Sequence, residues 1–87
     1  MRVRTTSHFD RQSRKLAAKH SEIPGVVAMA VQTLASDPYR SPGVRKLSDV
    51  GPEEGNFRLR IGPWRIRYSI HREVVLYSIA LRREDTY

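Results

Sequence analysis

The segment GNFRLRIGPWRIRY, residues 55–68, alternates apolar and charged side chains on both sides of a Gly-Pro dipeptide. Such alternation predicts two β-strands that pair as an antiparallel hairpin, with one face buried and the other open. A turn at the dipeptide makes each apolar residue meet another apolar residue: Phe57 opposes Tyr68, Leu59 opposes Ile66, and Ile61 opposes Trp64.

The same register brings the four arginines of this segment together on the open face, Arg58 opposite Arg67 and Arg60 opposite Arg65. Like charges that lie directly opposite each other destabilise a sheet. A shift of one residue would separate the charges, but it would also turn the apolar residues away from the core. Folding therefore fixes the register without explaining the arginines. An anionic ligand accounts for them better than a solvated basic surface without a partner, because such a surface normally includes acids and this one has none along residues 57–61 and 64–70.

A third apolar segment, residues 74–82, follows a turn at Arg72-Glu73 and extends the hairpin to a three-stranded meander. On the open face it sets small side chains beside the arginines and brings Arg82 to the same end. The result is a shallow, positively charged groove on a rigid sheet, which predicts phosphate binding. The expected pairs are Trp64 with Leu81, Arg65 with Ala80, Ile66 with Ile79, and Arg67 with Ser78.

The first half of the chain has helical periodicity. Residues 2–5 indicate a short edge strand, and Ser7 is the expected N-cap of a first helix. A second helix begins at Pro24, carries an apolar stripe on one face, and ends at Asp37. The two helices are expected to form an antiparallel hairpin that covers the buried face of the sheet.

These elements predict an α+β fold with the order β-α-α-β-β-β, as a single domain over residues 1–87. Residues 38–56 hold three of the five prolines and three of the five glycines, so this segment is expected to be mostly loop.

Composition narrows the class of protein. The net charge is +7, from 16 Lys and Arg against 9 Asp and Glu, which favours polyanionic partners such as nucleic acid, ribosome or acidic protein. The apolar segments are shorter than the roughly 20 residues of a membrane span. The N-terminus lacks the apolar core of a secretory signal. With no cysteine, the chain has no disulfide or thiolate metal site, and a cytoplasmic location is expected.

The stretches RKLAAKH, VRKL, FRLRIGPWRIRY and LRREDTY, in this order and spacing, resemble the RelE/ParE superfamily of bacterial toxins, on the RelE-like branch. The resemblance spans nearly the whole chain. It implies two helices against a four-stranded antiparallel sheet. For the RelE branch it also implies an mRNA interferase that cuts mRNA in the ribosomal A site, with an acidic antitoxin as its partner. No cofactor or metal is expected.

The resemblance also implies roles for individual basic residues and for the terminal tyrosine. Two positions depart from the family pattern: many relatives have histidine where this chain has Leu81, and relatives commonly continue beyond the tyrosine. The implied catalytic residues are Arg65, Arg82 and Tyr87, and the implied RNA- or phosphate-binding residues are Arg58, Arg60, Arg67 and Arg83.

Cleavage of RNA by its own 2′-hydroxyl needs a base, charge stabilisation at the phosphate, and a proton for the leaving oxygen. Arginine suits the second task, but its permanent charge makes it a poor base. Tyr87, with an ordinary pKa near 10, becomes a base only if nearby cations lower that pKa; otherwise it packs on the sheet. His71 shares the open face but lies six residues, roughly 20 Å, from Arg65 along the strand.

Two other functions stay open from the sequence. A ParE-like protein poisons DNA gyrase by binding and does not cut RNA, and a non-catalytic module would bind RNA or the ribosome. The basic cluster together with Tyr87 favours the nuclease, because a gyrase poison needs no such cluster.

Overall fold

The computed structural model describes residues 1–82, in which five strands form one sheet and two helices lie against one of its faces. This is the predicted α+β arrangement. Within these residues, neither helix is both long enough and apolar enough to span a membrane. The elements are β1 (Val3–Thr5), α1 (Ser7–Ala17), α2 (Ile23–Ser36), β2 (Val44–Lys46), β3 (Phe57–Ile61), β4 (Trp64–Ile70) and β5 (Val74–Leu81), with a 3₁₀ turn at Pro52–Glu54.

The strand order across the sheet is β1-β5-β4-β3-β2, and two features of it differ from the expectation. Residues 44–46, expected to be loop, form an edge strand in which Val44 pairs with Leu59 over the core. β1 pairs with β5 in parallel, so the sheet is mixed and not wholly antiparallel. Parallel pairing is possible here because a long connection, both helices and three strands, separates β1 from β5.

The predicted register of the meander is confirmed except at one end of the β4–β5 pair. Every expected pair of β3 with β4 and of β4 with β5 is present, up to a β-bulge next to Tyr68. Beyond the bulge Tyr68 pairs with Leu76 in place of Tyr77. The extra residue keeps Leu76 and Val74 on the core side, where both are fully buried.

The core lies between the helices and the sheet. The N-cap of α1 is Thr6 and not Ser7, since the Thr6 hydroxyl accepts a hydrogen bond from the Phe9 N–H at 3.1 Å. The same hydroxyl donates to the Leu76 carbonyl and so joins α1 to β5. The core residues are Phe9, Ile23, Val26, Ala30, Leu34, Leu59, Trp64, Ile66, Tyr68, Val74, Leu76 and Ile79.

One buried hydrogen bond fixes the chain after α2 to the centre of the sheet. The Tyr68 hydroxyl donates to the carbonyl oxygen of Pro38 at 2.7 Å. Burial raises the pKa of Tyr68 well above its ordinary value, so the hydroxyl keeps the proton that it donates. The adjacent Asp37 carboxylate accepts from the N–H groups of Tyr39 and Arg40, and these bonds lower the pKa of Asp37.

Replacing Tyr68 by Phe is therefore expected to lower the free energy of unfolding by about 1–3 kcal/mol, because a buried carbonyl loses its donor. Urea unfolding measures the difference. Tyr39→Phe is the matched control, since that side chain is 57% exposed and its loss of a hydroxyl should change little. Equal stability of the two variants would show that the bond to Pro38 contributes nothing.

Candidate nucleic-acid interface

The arginines of the meander project from the sheet face opposite the helices. Apolar residues of β3 and β4 pack under α1 and α2, and side chains alternate between faces along a strand, so the intervening residues point the other way. The two arginine pairs are present: Arg58 lies opposite Arg67, and Arg60 lies opposite Arg65. Directly opposed residues have Cβ atoms only about 5 Å apart.

Four arginines line a cavity of about 190 Å³ on this face, near the Gly62-Pro63 turn; we call them the arginine cluster: Arg58, Arg60, Arg65 and Arg82. Three of them come from β3 and β4, and Arg82 directly follows β5. Arg60 and Arg82 are exposed, and neither makes an ion pair within residues 1–82. The ion pair that the structure does show joins Arg4 to Glu73, at the opposite end of β4.

Arg65 is the most enclosed member of the cluster. Its side chain is largely buried, and Nη1 donates to the carbonyl oxygens of Gly62 at 3.0 Å and Trp64 at 3.1 Å. These bonds hold the guanidinium against the turn. A guanidinium with a fixed orientation loses little conformational freedom when it binds a phosphate.

Backbone contacts hold the rest of the cluster in place. The Arg82 N–H donates to the Pro63 carbonyl at 2.8 Å, which joins the end of β5 to the turn. The Arg60 N–H donates to the Gly43 carbonyl at 3.0 Å. The Nε atom of Arg58 is buried and has no hydrogen-bond partner among residues 1–82. An unpaired buried donor is costly, so an acceptor supplied by a ligand would relieve it.

Arg67 lies apart from the cluster although it shares the face. Its Nε donates to the Gly55 carbonyl at 3.1 Å, and the 3₁₀ turn before Gly55 packs against β4. Farther along this face Ser69 and Val75 are buried. The groove is therefore open only at the end that holds the arginine cluster, whereas the sequence predicted an open face along the whole strand.

The structure adds one basic residue that the sequence reasoning missed. Arg45 in β2 pairs directly with Arg58, so it lies on the same face and extends the row of cations across the sheet. The segment VRKL has two adjacent charged residues and does not alternate, and a strand of three residues is too short to be distinguished from a loop by its sequence. In the same strand Lys46 Nζ lies 5.9 Å from the centre of the Phe57 ring, on the other face.

Some expected site residues fall elsewhere. Arg83 and Tyr87 lie outside the described residues, so their implied roles stay predictions. Leu81 is 42% exposed at the end of β5. His71 lies in the turn at the far end of β4 from the cluster. Within residues 1–82, no three His, Asp or Glu side chains are close enough to hold a metal ion.

The arginine cluster is suited to one chemical task. Its members supply forked N–H donors that match phosphate oxygens, and their charge does not depend on pH near neutrality. The cavity lining consists of arginines alone among the described residues, which provides no group that accepts a proton. The cluster can therefore bind and stabilise a phosphate, whereas acid–base chemistry requires a group outside it.

The fold is similar to that of a chain in the crystal structure of the toxin–antitoxin complex RelBE2 from Mycobacterium tuberculosis. The TM-score is 0.73 and the sequence identity is 27%, over 93% of this chain and 90% of that chain. No family model matches the chain, and no curated protein matches it. The likeness extends over nearly all of both chains and confirms the RelE-like character that the sequence predicted.

Because like charges oppose each other in the cluster, removing one is expected to stabilise the fold. Arg60→Gln should raise the free energy of unfolding by on the order of 0.5 kcal/mol at about 0.01 M salt. The gain should vanish near 1 M salt, where the Debye length is about 3 Å and the opposed charges are screened from each other. Urea unfolding at both salt concentrations measures it.

Arg2→Gln is the control, because it removes the same charge from an exposed arginine outside the cluster. Equal gains in Arg60→Gln and Arg2→Gln would indicate a general effect of net charge. They would contradict a specific repulsion within the cluster.

Proposed function

We propose that this RelE-like chain is the toxin of a toxin–antitoxin module and an endoribonuclease that cuts mRNA on the ribosome. The observation that carries the proposal is the arginine cluster, four cations held on rigid strands around one cavity. The similarity to a toxin–antitoxin complex supports the toxin assignment. Dependence on the ribosome means that the protein acts in the cytoplasm.

In the proposed reaction, the 2′-hydroxyl of the RNA loses its proton to a base and attacks the adjacent phosphate. The bond from phosphorus to the 5′-oxygen of the next nucleotide breaks, which leaves a 2′,3′-cyclic phosphate and a protonated 5′-hydroxyl, and negative charge accumulates on the phosphate oxygens in between. Arg60 and Arg82, exposed at the mouth of the cavity, would bind those oxygens, while Arg65 is held beside them by the turn. Prearranged donors at the site of developing charge are a major source of catalysis. The nucleophile belongs to the substrate, so the reaction requires no metal or cofactor.

Proton transfer is the part of the reaction that the cluster does not supply. We propose that Tyr87 acts in it, a role that requires nearby cations to lower the pKa of its hydroxyl. Arg83, next to Arg82 in the chain, would add a further phosphate contact. Both assignments rest on the resemblance of the segment LRREDTY to the toxin family.

Alanine at either exposed member of the cluster is expected to reduce mRNA cleavage by about 10²–10³, the typical effect of losing one transition-state donor. Primer extension on a reporter mRNA, translated by purified ribosomes with Arg60→Ala or Arg82→Ala added, measures the rate. Arg2→Ala is the control with the same loss of charge. Arg65→Ala is a less direct test, because it also removes two bonds to the turn.

Undiminished cleavage by both Arg60→Ala and Arg82→Ala would remove the cluster from the mechanism. If the wild-type protein leaves mRNA intact and instead stabilises gyrase–DNA breaks, the gyrase-poison alternative is correct. If it binds ribosomes without either effect, the chain is a non-catalytic module.

Tyr87→Phe retains the ring and removes only the hydroxyl. A Tyr87 that transfers protons should lose about 10²–10⁴ in cleavage rate when it is replaced in this way. A tyrosine that only packs on the sheet should lose almost nothing. Single-turnover cleavage by Tyr87→Phe distinguishes the two roles, with Tyr39→Phe as the control on an exposed tyrosine.

A small acidic antitoxin is the expected partner, since a free cationic nuclease would harm its host. Co-expression with the neighbouring small open reading frame should yield a complex that forms rapidly at low salt and more slowly as salt screens the +7 charge. Binding should protect the arginine cluster and suppress cleavage. If no neighbour co-purifies and the protein alone is harmless at high level, the toxin assignment fails.

A further inference from the structure

The outward face of α1 carries a second set of cations, distinct from the arginine cluster. Arg11, Arg14 and Lys15 in α1 and Lys19 just after it are all exposed, as is His8 in the first turn. We call these five residues the basic helix face. None of them forms an ion pair within residues 1–82. The acidic residue of this helix, Asp10, is half-buried and lies beside the face.

Helix stability does not account for these charges. Arg11 and Lys15 are four residues apart in α1, and like charges at this spacing destabilise a helix by about 0.2–0.5 kcal/mol. Cations in the last turn gain from the helix dipole. Arg11 lies in the middle of α1 and lacks that benefit. As on the sheet, repelling cations indicate an anionic ligand.

The basic helix face and the arginine cluster lie on opposite sides of the sheet. α1 is fixed to the core side by Phe9, which is buried, and by Gln12, whose Oε1 accepts a hydrogen bond from the Ile79 N–H at 2.8 Å. The cluster projects from the other side of β3 and β4. One short stretch of phosphates cannot contact both surfaces, so the helix face would bind a separate anion.

The chemistry of the face favours a nucleic-acid backbone over an acidic protein. Protein interfaces depend on large apolar or aromatic anchors at their centre. The basic helix face has none, and the described residues that line a cavity of about 640 Å³ beside it are all polar: His8, Arg11, Gln12, Arg14 and Lys15. Cations with hydrogen-bonding neighbours and no apolar anchor are typical of phosphate-backbone contacts.

The positions of the cations around the helix favour a duplex over a single strand. At about 100° per residue, Arg11 and Lys15 lie roughly 60° and 100° around α1 from Arg14, so these cations form one continuous convex face. With Lys19 just beyond the helix, the face extends about 16 Å from His8. A convex face of this width can contact the two phosphate strands that border a groove. We infer that the basic helix face binds the phosphate backbone of double-helical nucleic acid.

This inference goes beyond the proposed cleavage and stands without it. Its test is binding of a short RNA duplex, one of its separated strands, and a DNA duplex of the same sequence, measured by fluorescence anisotropy over a salt series. The variant Arg14→Gln/Lys15→Gln/Lys19→Gln removes three cations from the face, and glutamine preserves helix propensity. The matched control removes three exposed arginines elsewhere: Arg2→Gln/Arg40→Gln/Arg72→Gln.

The helix variant should bind the preferred duplex about 10–100-fold more weakly than the wild type. Its plot of log affinity against log salt should be less steep than that of the wild type by about 3 units, one unit for each lost phosphate contact. The control should retain the slope and change affinity less than about threefold. Urea unfolding of both variants verifies that they are folded. A preference for RNA or for DNA identifies the source of the backbone, and either supports the inference.

Three results would overturn it. Equal losses in the helix variant and the control would show that net charge alone attracts the duplex. Loss of duplex binding in Arg60→Gln/Arg82→Gln, with full binding in the helix variant, would assign the duplex to the arginine cluster. Competition by polyglutamate as strong as that by the duplex would indicate an acidic protein. The proposed function is tested separately, because that test measures mRNA cleavage by Arg60→Ala and Arg82→Ala, which change the arginine cluster and not the basic helix face.

Discussion

Burial of the alternating apolar residues in the β3–β4 hairpin is the constraint on which the rest of the structure depends. Leu59, Ile66 and Trp64 are almost fully buried, and each such side chain contributes about 1.5–3 kcal/mol when it leaves water. Each opposed arginine pair opposes folding by less than about 1 kcal/mol. The core therefore determines the register, and the register sets Arg58 opposite Arg67 and Arg60 opposite Arg65.

The turn between these two strands holds the cations around one cavity. Carbonyls of the turn hold the Arg65 guanidinium on one side and the end of β5 on the other. Gly43 lets the chain before β2 pass close to Arg60. Its φ is +90°, and an added Cβ would lie 2.7 Å from the Arg60 carbonyl oxygen. Only glycine allows β2 to approach β3 so closely. The cations are thus arranged before any ligand binds, which favours tight phosphate binding.

Sequence reasoning succeeded where one local pattern determined the outcome. Strict alternation over β3 and β4 gave every pair of the hairpin, and the pairing with β5 followed until the bulge at Tyr68. It failed where distant contacts determine the outcome. The three residues of β2 pair with β3, with Val44 opposite Leu59, and no local pattern predicts this contact. The segment that contacts Arg67 at Gly55 has neither helical nor strand periodicity. The sequence therefore did not predict Arg45 on the open face, and the predicted groove was longer than the observed one.

Within residues 1–82, two acids build local structure away from the arginine cluster. Asp37 accepts two backbone N–H groups after α2, and Glu73 pairs with Arg4. The cations on the open sheet face and on α1 stay mutually repelling, which lowers the stability of the unliganded fold. By mass action, a polyanion that binds these surfaces would stabilise the native state by RT ln(1 + L/Kd), where L is its free concentration. Binding of the proposed anionic partners would thus relieve a repulsion that lowers the stability of the free protein.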